Sequence, residues 1–467
     1  AGFHIWHSSG RGIEGNSGKL FGIADDQLVA EATKIAAGAD FLDGDSWHAL
    51  CLSDPDRALR GLDAAVFSGQ WNKSLWQQLL WVRKEYTGSE TQLRIAQLLL
   101  KWPGESFAGI APPASSWLEY NAKSLDEALL WRLWDRIVGT PLEERELSRR
   151  DVFTDALNSS SGRLAETLLK KLPTGIAQSE HLPPLFQRLD KLVDTPGQAG
   201  QLARVRLAAE VSLLFERLPD WTKKKMIPLF EWSSPDAQAM WSARKYSSYI
   251  GSTELFELIK QPFLEIFSRS DVSAEDLRTF SEWLTSILIA NQAHQIGYPL
   301  TSTEARAALR RAGVKALSSV GHRLAVEMAG GTPEQKAVRW RTVVGPVFQA
   351  IWPLDVELQT SATTFKLAQL LTATGDAFSE AAEVITPFIR PEEGRAHSTL
   401  FSIANAPEYL YSLSASKMLT LVSAVVGDAL PGSVFALGQA LERIRAVDSK
   451  LANTRKFQKL IEAAAVG

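Results

Sequence analysis

The chain has 467 residues, 45 % of them hydrophobic and 22 % charged, with a net charge of −3 at pH 7. These values exclude an intrinsically disordered chain and leave room for about three domain-sized units or one elongated array. There is no basic surplus of the kind that nucleic-acid binders carry. One cysteine, Cys51, rules out an internal disulfide, and no apolar run approaches the ~20 residues that span a bilayer.

The first 24 residues read as a glycine-rich entry segment or linker. "FHIW" at 3–6 is the best extended stretch in the chain, and the "SSGRGIEGNSGKLFG" that follows carries the letters of two phosphate sites. Gly10-x-Gly12-x-x-Gly15 matches a dinucleotide fingerprint, but that needs a helix opening at its third glycine, and Gly18 and Gly22 interrupt one. A P-loop needs glycine at position 13 and Ser or Thr after Lys19, where the chain has Ile13 and Leu20. No secretory signal is evident, since no basic region followed by an apolar one opens the chain, and a start at Ala1 without Met suggests processing or a piece of a longer protein.

From Asp25 the period is helical. "DDQLVAEATKIAA" opens the first helix, and an N-terminal array is expected over 25–296. Leu125, Leu129 and Trp131 to Trp134 make a Trp-heavy face, with Ser124 as its N-cap and Asp126 and Glu127 in the first turn. Leu277, Phe280, Leu284, Ile287 and Leu288 form another apolar stripe. "GYPLTS" at 297–302 suggests a boundary, with a C-terminal array over 303–467, where Val434, Leu437, Leu441 and Ile444 repeat the same spacing. Breaks at 103–116, 158–162, 194–200, 329–334, 390–394 and 430–432 separate about two dozen helices. With no sustained strand alternation, the fold is all-α: an irregular HEAT-like solenoid, or a large bundle of short amphipathic helices. No clean period chooses between them.

The chemistry-bearing patterns are sparse. His4-x-x-His7 and His48-x-x-Cys51 give pairs, where a zinc site needs three or four ligands. Asp40, Asp43 and Asp45 start like a calcium loop, but the spacing fails at Trp47. Ser414-x-x-Lys417 lacks its companion sequences and reads as an N-cap. Glu143, Glu144, Glu146, Arg149 and Arg150 read as a solvated helix laced with ion pairs. The 388–413 stretch departs from the helical monotony. There Arg390, Glu392, Glu393, Arg395 and His397 are candidate partner-binding residues, although an inter-helix corner held by Arg–Glu pairs accounts better for them.

Three stretches, "WHALCLSDPDRALRGLDAA" (47–65), "FIRPEEGRAHSTLFSIANAPEYLYSLSASKMLTLVSAVVGD" (388–428) and "LGQALERIRAVDSKLANTRKFQKLIEAA" (437–464), resemble the helical C-terminal regions of bacterial antiphage-defence proteins. The resemblance is to those that follow a sirtuin-like NAD-degrading domain. It implies a non-catalytic sensor or scaffold whose partner is a protein or an associated effector domain, and "HSSGRGIEGNSGKL" (7–20) would then be the join to that domain. No catalytic residue of such a domain has a counterpart here. The expectation is therefore a cytoplasmic protein-interaction module with no cofactor or metal, and homo-oligomerisation is left open. Two rivals stand beside it. One is a hydrolytic enzyme whose site is scattered in sequence. The other is a nucleic-acid-binding array, which requires Lys223–Lys225, Arg310, Arg311 and Arg339–Arg341 to share a face.

Overall fold

The computed structural model describes residues 17–38, 46–82, 90–141, 151–177, 182–247, 250–392, 397–430, 432–434 and 436–464. The protein is all-α. Among the described residues no strand forms, and Val434 and Ala464 make one isolated parallel bridge. "FHIW", Asp40–Asp45 and Glu143–Arg150 lie outside the described residues. The chain packs as two compact units, one running to Leu229 and including Ser233–Ser247, the other formed by Phe230–Trp232 and the chain beyond Ser247.

In each unit a helix meets its counterpart one step along the chain, and the first unit has two such layers. In the first unit, Asp25–Gly38 packs on Pro55–Phe67, which packs on Glu90–Lys101, which packs on Glu127–Val138. Beneath them run Ser46–Ser53, Lys73–Trp81, Ala111–Tyr120, Ser160–Lys170, Gly197–Ala209 and Ala237–Arg244, each on the next. In the second unit one layer is Ala274–His294, Val314–Glu327, Thr364–Thr372, His397–Ala404 and Leu437–Val447. In this neighbour-on-neighbour order no repeat can bury its apolar face alone, as in helical solenoids and in bundles of stacked helix pairs.

The apolar stripes read from sequence face these contacts. Phe280, Leu284, Ile287 and Leu288 are buried, as are Leu437, Leu441 and Ile444. Trp134 is fully buried and its indole N–H donates to the Leu164 carbonyl, 30 residues downstream, at 3.2 Å. Trp47 does the same to Leu75 across 28 residues at 3.0 Å, and Trp232 to Pro262 across 30 residues at 2.8 Å. The large ring fills the gap between successive helices while its one donor meets a carbonyl of the next repeat. In the first unit Trp102 also sits against Trp71 and Trp76, with ring centroids 4.7 and 5.7 Å away.

Local details shift some expected boundaries. The cap of the Trp-heavy helix is Asp126, whose carboxylate accepts from the Leu129 N–H at 3.0 Å, while Ser124 instead accepts from Gln92 at 2.7 Å. The prolines of "APPASS" do not end a helix. They occupy the first turn of Ala111–Tyr120, where no intrahelical N–H is needed. "GYPLTS" lies within the second unit: Asn291 brackets Tyr298 with two 2.8 Å hydrogen bonds, and Thr301 with Glu304 forms a capping box. The described end of the entry segment is packed too. Leu20 is fully buried, and Ser17–Leu20 rests on Ser46–Ser53.

Trp134→Phe keeps a buried ring but removes the indole bond to the Leu164 carbonyl, which keeps its place in the Ser160–Lys170 helix. Chemical denaturation of the first unit is expected to show a loss of about 0.5–1.5 kcal/mol; a loss no larger than that of an exposed substitution would show the indole bond to be dispensable.

Candidate interaction surface

The candidate surface is defined by which side chains the fold consumes and which it leaves outside. Helix C-termini carry orphan carbonyls and partial negative charge. In six places an arginine, in five of them from further along the chain, meets two such carbonyls or those of a turn. Arg57 donates to Leu20 and Ile23 at 2.9 and 2.8 Å, and Arg204 to Val193 and Thr195, both at 2.9 Å. Arg339 donates to Glu327 and Ala329 at 2.9 and 3.0 Å. Arg136 spans Leu100 and Trp102, with its guanidinium 4.3 Å above the Phe107 ring; burial lowers its pKa. Arg443 spans Ala404 and Ala406 and lies 4.1 Å above the Tyr411 ring. Arg136 uses both terminal nitrogens, while in Arg57, Arg204, Arg339 and Arg443 one terminal nitrogen donates to both carbonyls, which its two N–H groups allow.

Arg390, from the candidate set, is the sixth. It donates to Pro387 and Ile389 at 2.8 and 2.9 Å, and also to the Gln359 side chain. Its backbone N–H donates to Thr364 Oγ1 at 3.1 Å, and Thr364 donates back to its carbonyl at 2.7 Å. Pro391 packs on Gly427, whose φ is +61°; a Cβ there would come within 2.4 Å of the proline ring. The Glu392 N–H donates to the Val425 carbonyl at 3.1 Å. Burial raises the Glu392 carboxyl above its usual pKa range, partly offset by the Thr399 hydroxyl. Arg390 and Glu392 are therefore joined to the scaffold as a corner. Glu393 and Arg395 lie outside the described residues, and His397 opens the His397–Ala404 helix.

A second set of charges forms ladders between successive helices. Asp25 pairs with Arg60 at 2.9 Å, Asp63 with Arg94 at 2.6 Å, Asp135 with Arg188 at 2.5 Å and Asp194 with Lys225 at 2.7 Å. In the second unit Glu380 pairs with Arg341 at 2.5 Å, Glu383 with Lys417 at 2.9 Å, and Asp428 with Lys459. Exposed pairs contribute about 0–1 kcal/mol each, so their main effect is to fix which helix follows which. The basic residues of the nucleic-acid alternative fall largely into these two sets. Lys223 lies near Asp220, Lys225 pairs with Asp194 and Asp190, Arg310 pairs with Asp355 at 2.5 Å, and Arg339 and Arg341 are engaged as above. Lys224 and Arg311 are exposed.

The remaining chemical candidates have structural places. Cys51 is buried on Ser46–Ser53, and among the described residues no group of three His, Cys, Asp or Glu could hold a metal. Ser414 Oγ accepts from the Lys417 N–H at 3.4 Å, the N-cap geometry expected of it. No helix among the described residues is long and apolar enough to cross a membrane. What stays outside includes large apolar side chains. Phe67 is 95 % exposed in the first unit; in the second, Leu354 and Val356 are 64 % and 73 % exposed. Asp355, between these two, turns inward to Arg310. No sequence signal marked this pair, because a two-residue apolar alternation also suits a buried turn.

The protein y4cA of Sinorhizobium fredii, described as uncharacterized, is 23 % identical over 474 aligned residues. The match covers 98 % of this chain and 39 % of that protein's length. No protein-family model matches the chain, and no solved structure matches it.

The 388–413 corner makes a pH prediction. Tyr411 is fully buried, its hydroxyl donates to Ile403 at 2.8 Å, and burial pushes its phenol up to about 12. The fold holds the neutral phenol, so this contribution is intact below the ordinary tyrosine range near pH 10 and is lost as pH rises towards about 12. Tyr411→Phe is expected to flatten the fall in stability between pH 10 and 12, measured by denaturation at stepped pH. An equally steep fall in both proteins would assign the loss to other groups.

Proposed function

We propose that this chain is a non-catalytic helical sensor or scaffold module that carries protein–protein contacts in a bacterial antiphage-defence protein. The observation that carries the reading is the neighbour-on-neighbour stacking of helices in each unit, an architecture whose use is the extended surface it presents. Two further observations support it. Arginines, lysines and carboxylates that could have formed a charged site are occupied between helices, while large apolar side chains such as Leu354 and Val356 stay exposed, as at protein-contact sites. The antiphage context rests on the resemblance of 47–65, 388–428 and 437–464. A bacterial relative that extends well beyond the matched region suits a module joined to other domains.

The test is a pull-down of the tagged chain against purified phage proteins and against a sirtuin-like NAD-degrading domain from the same protein. A complex is expected, weakened at least tenfold by Leu354→Asp with Val356→Asp if that patch contributes. A monodisperse chain that binds none of them contradicts the proposal. A salt-sensitive mobility shift with DNA or RNA would favour the nucleic-acid reading instead.

A further inference from the structure

One helical run in the second unit holds an extra residue, and its sequence explains why. Pro333–Arg339 continues through Trp340–Val344 into Gly345–Ile351, and the middle five residues form a π turn in which the Gly345 N–H reaches back five residues to the Trp340 carbonyl. Pro346 follows directly. In a regular α-helix the residue at 346 would donate to the Thr342 carbonyl, but proline has no N–H and its ring would strike that oxygen. Here the Thr342 carbonyl instead accepts from Gln292 of the Ala274–His294 helix at 3.0 Å. Gly345 completes the arrangement: a Cβ there would stand 2.8 Å from the Trp340 carbonyl and 3.1 Å from its ring.

The extra residue changes which neighbours the run faces. Its first part packs on Gly375–Ala377, the π turn on Ala274–His294, and its last part on Ser302–Ala312. Trp340 is buried, and Arg341 reaches Glu380 with two bonds of 2.9 and 2.5 Å. Removing one residue from the turn would rotate one half against the other by about 100°, taking Trp340 and Arg341 off these contacts.

We infer that Gly345-Pro346 is a built-in register device: the proline holds the π turn open, and the π turn sets the pairing of this run with three neighbouring elements. This goes beyond the interaction reading and does not rest on it. The inference conflicts with helix propensity, which makes it testable. Pro346 is exposed, so Pro346→Ala removes little packing and replaces the poorest helix former with the best. Propensity alone predicts stabilisation. The register device predicts a melting midpoint lower by about 2–4 °C and faster amide exchange across 336–350. Pro183→Ala, an exposed proline in the first turn of the regular Pro183–Val193 helix, serves as the control and should leave the midpoint within about 1 °C. A Pro346→Ala midpoint equal to or above the parent's, with exchange in 336–350 unchanged or slower, overturns the inference.

Discussion

The structure depends on what happens at the ends of its helices. Short helices stacked one on the next expose many C-terminal carbonyls close to buried apolar surface, and an unmet carbonyl there costs about 1–3 kcal/mol. Positive-φ glycine caps answer this only in places, as at Gly313 and Gly427. Elsewhere an arginine guanidinium donates to two carbonyls, as in Arg136, Arg204, Arg339 and Arg443. Arg136 and Arg443 add an aromatic face beneath the guanidinium. Because Arg136 and Arg443 reach carbonyls 34–39 residues earlier, each also joins one repeat to its neighbour.

That economy shapes what the surface can do. The Asp63–Arg94, Asp194–Lys225 and Glu383–Lys417 pairs hold successive helices in register. Charges that a sequence reading could assign to an anionic or cationic ligand are thus engaged inside the fold. Arg390 is the clearest case. It looks like one member of a charged loop, yet its guanidinium is bound to Pro387, Ile389 and Gln359. The apolar side chains left outside, Leu354 and Val356 among them, are better suited to contact with another protein than to chemistry.

Much of the helix content was legible in the sequence. The stripes at 277–288 and 437–444, the start at Asp25 and the cap at Ser414 follow from period and capping rules that act within one turn. The order in which helices stack was not legible, because the step between repeats is uneven. Trp47 reaches Leu75 across 28 residues, while Arg310 reaches Asp355 across 45. No fixed period survives that spread. The arginine forks were hidden for a second reason: their acceptors are backbone carbonyls, which carry no side-chain signature. Arg136 and Arg443 read like any solvated helical arginine until the neighbouring helix is in place.

Repeat-by-repeat construction is tested most directly by hydrogen exchange on Arg136→Met, which keeps the apolar stem and removes the fork. Faster exchange is expected in Glu90–Lys101 and Glu127–Val138, the two helices that Arg136 joins, with Ala237–Arg244 at the far end of the same unit unchanged. Equal loss of protection throughout the unit would contradict it and mark the unit as a single cooperative bundle.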